Sequence, residues 1–278
     1  MKLIIFDFDG TLGDTRANII LTMRMTLRKL GLPEKDDETI AATIGIPLGA
    51  GFRQMFPDLS ADEENLCVKT YRAIFEENKK DLVPALFPHV KETLAALKEL
   101  GYILTVASSR SSASLNGFLR DMGIADCISF VLGADNVTNA KPHPEPVLRT
   151  LKEFGVDASD AIVVGDMPVD ILMGKAAGAT TCAVSYGNAS REALEDAGAD
   201  IIIDGFSKLK AIRIIMMERV FDRVQADLNQ LKEYQESGQW LEDFEADERG
   251  EIPQDIKRGI LSEDALYNLM EGPHYLIS

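Results

Sequence analysis

Two carboxylates stand two residues apart in Asp7-Phe8-Asp9-Gly10-Thr11-Leu12, directly behind the apolar run from Leu3 to Phe6. Such a pair at the end of a buried strand can bring both side chains to one site, one as a nucleophile and the other exchanging protons. The competing reading is a strand that ends in a polar turn, where Asp and Gly are common. Later segments supply complementary groups. Ser108 and Ser109 offer hydroxyl and backbone N–H groups to a phosphate oxygen, or else cap the helix that follows them. Lys141, held between Ala140 and Pro142, can reach a buried anion with its ammonium, although taken alone it reads as ordinary surface. Asp166 falls at a strand end and Asp170 at the start of the next helix. With Asp7 and the backbone carbonyl of Asp9 they make the hard, oxygen-only set that Mg²⁺ prefers. A helix-start carboxylate favoured by the macrodipole is the plainer reading of Asp170.

The elements that must position these residues are legible as well. Leu3 to Phe8, Ile103 to Ala107, Ser129 to Leu132, Ala161 to Val164, Thr181 to Ser185 and Ile201 to Ile203 read as short strands. Several are continuously apolar, the pattern of parallel strands buried on both faces. Between them lie amphipathic helical patterns, such as Val90, Leu94, Leu97 and Leu100, so the alternation predicts right-handed βαβ units in a doubly wound sheet. From Asp14 to about Ala85 the patterns are helical throughout, and an insertion there would stand over the carboxyl ends of the strands, where such sheets bind ligands. The expected fold is α/β: a Rossmann-like parallel-sheet core of residues 1–13 and 86–207, a helical cap of residues 14–85 and a C-terminal helical domain of residues 208–278.

The motifs, four in order and each at a strand end, resemble those of the haloacid dehalogenase superfamily, in its phosphoglycolate phosphatase-like branch with a helical cap. Asp14-Thr15, Thr43 to Leu48, Phe87-Pro88 and Gly174 to Gly178 also resemble that branch. The resemblance spans roughly residues 1 to 207. It implies an Mg²⁺-dependent phosphatase in which Asp7 is the nucleophile that forms an aspartyl-phosphate, and Asp9 protonates the leaving oxygen and then activates water. It further implies that Lys141 and Ser108 hold the phosphoryl oxygens, that Asp166 ligates the metal, and that Asp170 joins it or orients a ligating water. Gly10 and Ser109 are expected to contact substrate, with Arg53 as a cap contact. Asp9 excludes the dehalogenases proper and the phosphonoacetaldehyde hydrolases, whose motifs lack an acid/base carboxylate there. A β-phosphoglucomutase-type phosphotransferase shares all four motifs and stays open.

Charge narrows the partners. Against 29 basic residues stand 45 acidic ones, a formal net charge of −16. Nucleic acid and anionic membrane surfaces are held by basic patches, so neither is expected. A small phosphorylated metabolite, met by local cations, is. Three widely spaced cysteines fit a reducing compartment, and no apolar run reaches the roughly 20 residues of a membrane span, so the expected location is the cytoplasm. At the C-terminal end, Leu209, Ile212, Met216, Val220, Val224, Leu228 and Leu231 describe an amphipathic helix that packs on its own domain or forms a homodimer. Beyond it, Trp240, Glu242 to Glu248 and Leu261 to Tyr267 resemble a small bacterial helical domain of unknown function. An interaction protein that presents this tail is therefore the reading from a different class.

Overall fold

The computed structural model describes residues 3–212, 225, 228–234 and 236–249. The chain divides into two compact units, Met1–Lys210 and Ala211–Ser278.

The first unit is built on a six-stranded sheet in which every pairing is parallel. Its central strand β1 (Leu3–Phe6) is buried along its whole length. Two further sheet strands come next in the chain, β4 (Ile103–Ala107) and β5 (Phe130–Leu132). The other three are β6 (Ala161–Gly165), β7 (Thr180–Val184) and β8 (Ile201–Ile203). The spatial order is β5-β4-β1-β6-β7-β8, with Leu3 opposite both Ile103 and Ala161. The chain builds outward from β1 through β4 to β5, then crosses back to β6 on the other flank. That reversal opens a crevice at the carboxyl ends of β1, β4 and β6. Leu3, Ile5, Val147, Leu151, Val163 and Met173 pack into one cluster on the sheet. Ile4 and Phe6, which alternate with Leu3 and Ile5 along β1, are fully buried as well, and burial on both faces explains the unbroken apolarity of the strand.

The inserted region leaves and rejoins the core through a ribbon absent from the sequence reading. Strands β2 (Gly13–Asp14) and β3 (Ala85–Leu86) pair antiparallel, and Phe87 N–H extends the ladder by donating to Leu12 O at 3.1 Å. Two-residue strands carry no periodicity, so pattern reading passes over them. Between them run α1 (Arg16–Leu30), α2 (Asp37–Ala41), α3 (Leu48–Met55) and α4 (Ala61–Asn78). Gly31 ends α1 in the left-handed conformation, and a Ser60–Glu63 capping box starts α4. Met23, Leu27, Ile40, Phe52, Met55 and Cys67 form a separate apolar core here.

In the second unit, residues 228–234 are helical and a further helix spans Gln239–Glu248. Tyr234 Oη donates to Asp243 Oδ2 between them. Met216, Val220 and Val224 of the expected amphipathic helix, and the Leu261 to Tyr267 motif, lie outside the described residues. Among the described residues no helix is long and apolar enough to cross a membrane.

Candidate active site

Strand ends set the positions. The Asp7 N–H donates to Val164 O at 2.8 Å, prolonging the β1–β6 pairing by one residue and fixing the Asp7 side chain at the crevice. Asp166 follows Gly165, the last residue of β6, and Asp170 lies in the first turn of the next helix, Pro168–Ala176. All three are buried, and one carboxylate oxygen from each can be chosen so that the three lie within 4.8 Å of one another.

Lys141 reaches this cluster from the approach to the helix Glu145–Phe154. Its buried Nζ donates to Asp7 Oδ1 and Asp170 Oδ1, each at 2.6 Å. Asp170 Oδ2 accepts from the Met167 N–H at 3.1 Å, so the helix-cap role and the cluster role coexist in one side chain. Asp166 is held by partners that the sequence reading missed. Thr11 Oγ1 donates to its Oδ1 at 3.2 Å, and Asn188 donates to its Oδ2 from the backbone N–H at 2.7 Å and from Nδ2 at 2.9 Å. Asn188 lies just beyond β7, at the same carboxyl edge of the sheet, which was the available signal.

The electrostatics of the cluster are unbalanced. Burial pushes the Asp7 carboxyl up to about 7; Lys141 opposes the rise, and Asp170 and Asp9 add to it. Asp166 is held well above the usual carboxylate value, first by burial and then by Asp7 and Asp170, against the hydrogen bonds from Asn188. Burial works against the Lys141 charge, but Asp170 and Asp7 outweigh it and hold its pKa above the ordinary lysine value. One ammonium thus faces three buried carboxylates. In addition, Asp7 Oδ2 is buried with no hydrogen-bond partner. An orphaned carboxylate oxygen in an all-oxygen, over-acidic pocket fits a hard divalent cation such as Mg²⁺, which would satisfy the oxygen and displace the protons.

Asp9 stands apart from the cluster. Arg110 donates Nε–H to both Asp9 carboxylate oxygens, at 2.7 Å each, and its guanidinium carbon lies 5.1 Å from the centroid of the Phe118 ring and 5.6 Å from that of Phe75. This cation was missed, although it directly follows the Ser108-Ser109 pair. Ser108 is buried, but its N–H is taken by Leu132 O at 3.0 Å, which leaves the hydroxyl as its contribution to a ligand. Ser109 Oγ donates to Gly45 O at 2.7 Å, tying this loop to the segment between α2 and α3. Gly10 has φ +85°, and a Cβ there would meet Asp166 Oδ2 at 2.1 Å, so its part is to let the loop approach Asp166. Arg53 is not brought to the site: half-exposed on α3, it pairs with Glu64. A cavity of about 380 Å³ opens beside Asp9 between α1, α3 and α4 and the start of the helix Ser112–Asp121.

The chain resembles known proteins along two stretches. Residues 4–184 match the family described as "Haloacid dehalogenase-like hydrolase", and residues 213–278 match "Domain of unknown function (DUF4298)". Among curated relatives, "Probable phosphatase IndB" of Dickeya dadantii is 40% identical over 210 residues, covering 74% of this chain and 91% of the relative. The phosphoglycolate phosphatase of Haemophilus influenzae is 30% identical over 219 residues, covering 76% and 97%. A solved structure described as a predicted phosphoglycolate phosphatase from Haemophilus somnus superposes with a TM-score of 0.69 at 28% identity, covering 77% of this chain and 98% of that one.

Proposed function

The chain belongs to the haloacid dehalogenase-like hydrolases and is a phosphatase, and from that premise we propose that it hydrolyses a small phosphate monoester of the phosphoglycolate type through an aspartyl-phosphate on Asp7, with Mg²⁺ as cofactor. The observation that carries this reading is the Asp7 carboxylate: one oxygen lies on the Lys141 ammonium and the other is buried without a partner, beside Asp166 and Asp170. A carboxylate kept only for structure would be satisfied at that depth.

Phosphoryl transfer asks the protein for in-line positioning and for positive potential around the equatorial oxygens. Asp7 attacks phosphorus, and the acyl-phosphate bond forms as the bond to the leaving oxygen breaks. Asp9 gives the leaving oxygen a proton, then takes one from the water that cleaves the acyl phosphate. Lys141 holds Asp7 in place and presents its charge to the incoming dianion, and the Ser108 hydroxyl donates to a phosphoryl oxygen. Asp7, Asp166 and Asp170 would hold the Mg²⁺, with Thr11 and Asn188 fixing Asp166 from behind. When bound, that ion offsets the repulsion between the Asp7 carboxylate and the phosphoryl oxygens.

The test is a panel of phosphate monoesters against the purified chain, with and without Mg²⁺, repeated on Asp7→Asn. Turnover should require the metal and fall at least about 10³-fold in the variant, since nucleophile removal collapses the whole machinery. Undiminished hydrolysis by Asp7→Asn would sink the mechanism.

A further inference from the structure

The loop that carries Asp9 is closed on itself. Leu12 N–H and Gly13 N–H both donate to Phe8 O, at 3.0 Å each, and Gly10 N–H donates to Gly13 O at 2.9 Å. A turn bonded in this way moves as one body, so the direction of the Asp9 side chain depends on what holds the turn from outside. At the upstream end the Asp7 N–H is fixed to Val164 O on β6. At the downstream end Phe87 N–H donates to Leu12 O, and Tyr186 Oη donates to Thr11 O at 2.8 Å. Thr11 is fully buried, and a carbonyl at that depth is costly without a donor. Tyr186 stands just beyond β7, and its ring meets that of Phe87, the residue after β3, with centroids 4.7 Å apart. One side chain thus bridges the strand that returns from the inserted helices and the turn that holds Asp9. The next residue lies against the same turn: a Cβ on Gly187 would stand 2.6 Å from Gly10 O and 2.5 Å from Asp166 Oδ2. Burial, and after it Asp166, holds the Tyr186 phenol above the ordinary tyrosine pKa, so the hydroxyl keeps its proton and remains a donor.

We propose that Tyr186 is a positioning residue for the acid step: by holding Thr11 O, its hydroxyl aims the turn so that the Asp9 carboxyl reaches the leaving oxygen. The inference rests on the phosphatase reading above and adds to it a residue whose hydrogen bond goes to the backbone and not to a carboxylate. Because the hydroxyl acts through Asp9, its loss slows reactions that need a proton on the leaving oxygen and spares those that do not.

The test compares two substrates on the full chain at saturating Mg²⁺: 2-phosphoglycolate, whose alkoxide leaving oxygen has to be protonated, and p-nitrophenyl phosphate, whose phenolate departs without a proton. The quantity read is kcat/KM, which covers the step in which the leaving group departs. A general acid supplies roughly 10²- to 10⁴-fold, and a misaimed Asp9 forfeits part of it. Tyr186→Phe keeps the ring on Phe87 and removes only the hydroxyl. It should lose about 10-fold on 2-phosphoglycolate, carried by kcat with KM within about twofold, and less than about threefold on p-nitrophenyl phosphate. An equal loss on both substrates would show that the hydroxyl supports the site as a whole, and unchanged kcat/KM on 2-phosphoglycolate that it does not aim Asp9; either result overturns the proposal and leaves the phosphatase reading intact. Phe87→Leu disturbs the same packing without touching the hydroxyl, so it should lower Tm while the ratio between the two substrates stays within about twofold of wild type. A ratio that shifts there as it does in Tyr186→Phe would trace the effect to packing and overturn the proposal as well. No hydrolysis of 2-phosphoglycolate by wild type would instead strike the reading beneath, and the proposal would fall with it.

Discussion

Asn188 holds Asp166 by two hydrogen bonds to a single oxygen, 2.7 Å from its backbone N–H and 2.9 Å from Nδ2. The other Asp166 oxygen accepts from Thr11 Oγ1 at 3.2 Å. Such a partner fixes the direction in which a ligating oxygen points, and its loss typically weakens metal affinity by 10- to 100-fold (roughly) without removing a ligand. Asn188→Ala is therefore expected to raise the Mg²⁺ concentration for half-maximal turnover about tenfold or more, with much of the rate recovered at high Mg²⁺. A titration of activity against Mg²⁺ checks this, and an unchanged midpoint would show that Asn188 does not act through Asp166.

A second prediction concerns pH. With the folded Asp7 carboxyl up at about 7 against an ordinary value near 3.8, the folded chain binds more protons than the unfolded chain between those limits. Asp166 shifts the same way. Stability without metal must then fall as pH rises through that window, since the unfolded chain ionises these groups freely and the folded one does not. Asp36, held below the ordinary value by its cap bonds to Thr39, gives the opposite slope, but at more acid pH. Between pH 5 and pH 7.5 the metal-free chain should therefore lose thermal stability, and saturating Mg²⁺ should raise Tm more at pH 7.5 than at pH 5. Asp7→Asn should flatten part of the slope. Equal Mg²⁺ shifts at both pH values would refute the assignment.

What the sequence made legible follows from how each residue acts. Strand β1 and its neighbours announce themselves because burial on both faces demands unbroken apolarity; Asp7 and Asp166 could be singled out because they follow such strands, Lys141 because it stands at the approach to a helix, and Asp170 because it lies in the first turn of another. Arg110 and Asn188 act through distance in the fold: they meet carboxylates 101 and 22 residues away in the chain, and no local period encodes that meeting. The β2–β3 ribbon is too short to have a period. Arg53 shows the converse error, a cation in the cap chosen by type alone, which the fold pairs with Glu64 on the neighbouring helix.

The close approach of the first loop to Asp166 gives the last prediction. At Gly10, φ is +85°, and a Cβ would stand 2.1 Å from Asp166 Oδ2 and 2.3 Å from Asn188 Nδ2. Gly31, at φ +63°, has nothing within 4 Å of a Cβ. Both glycines carry the left-handed penalty of about 1–2 kcal/mol for an L-residue, so Gly31→Ala measures that penalty by itself. Gly10→Ala adds a collision with the group that orients the metal ligand, and relief requires Asp166 or the Asp7–Leu12 loop to move. Gly31→Ala should lower Tm by a few degrees with turnover unchanged, whereas Gly10→Ala should lose activity out of proportion to its Tm and respond weakly to added Mg²⁺. Thermal unfolding and turnover measured on the same two preparations decide it: a Gly10→Ala chain with wild-type turnover would mean that the loop does not need the backbone that close to Asp166.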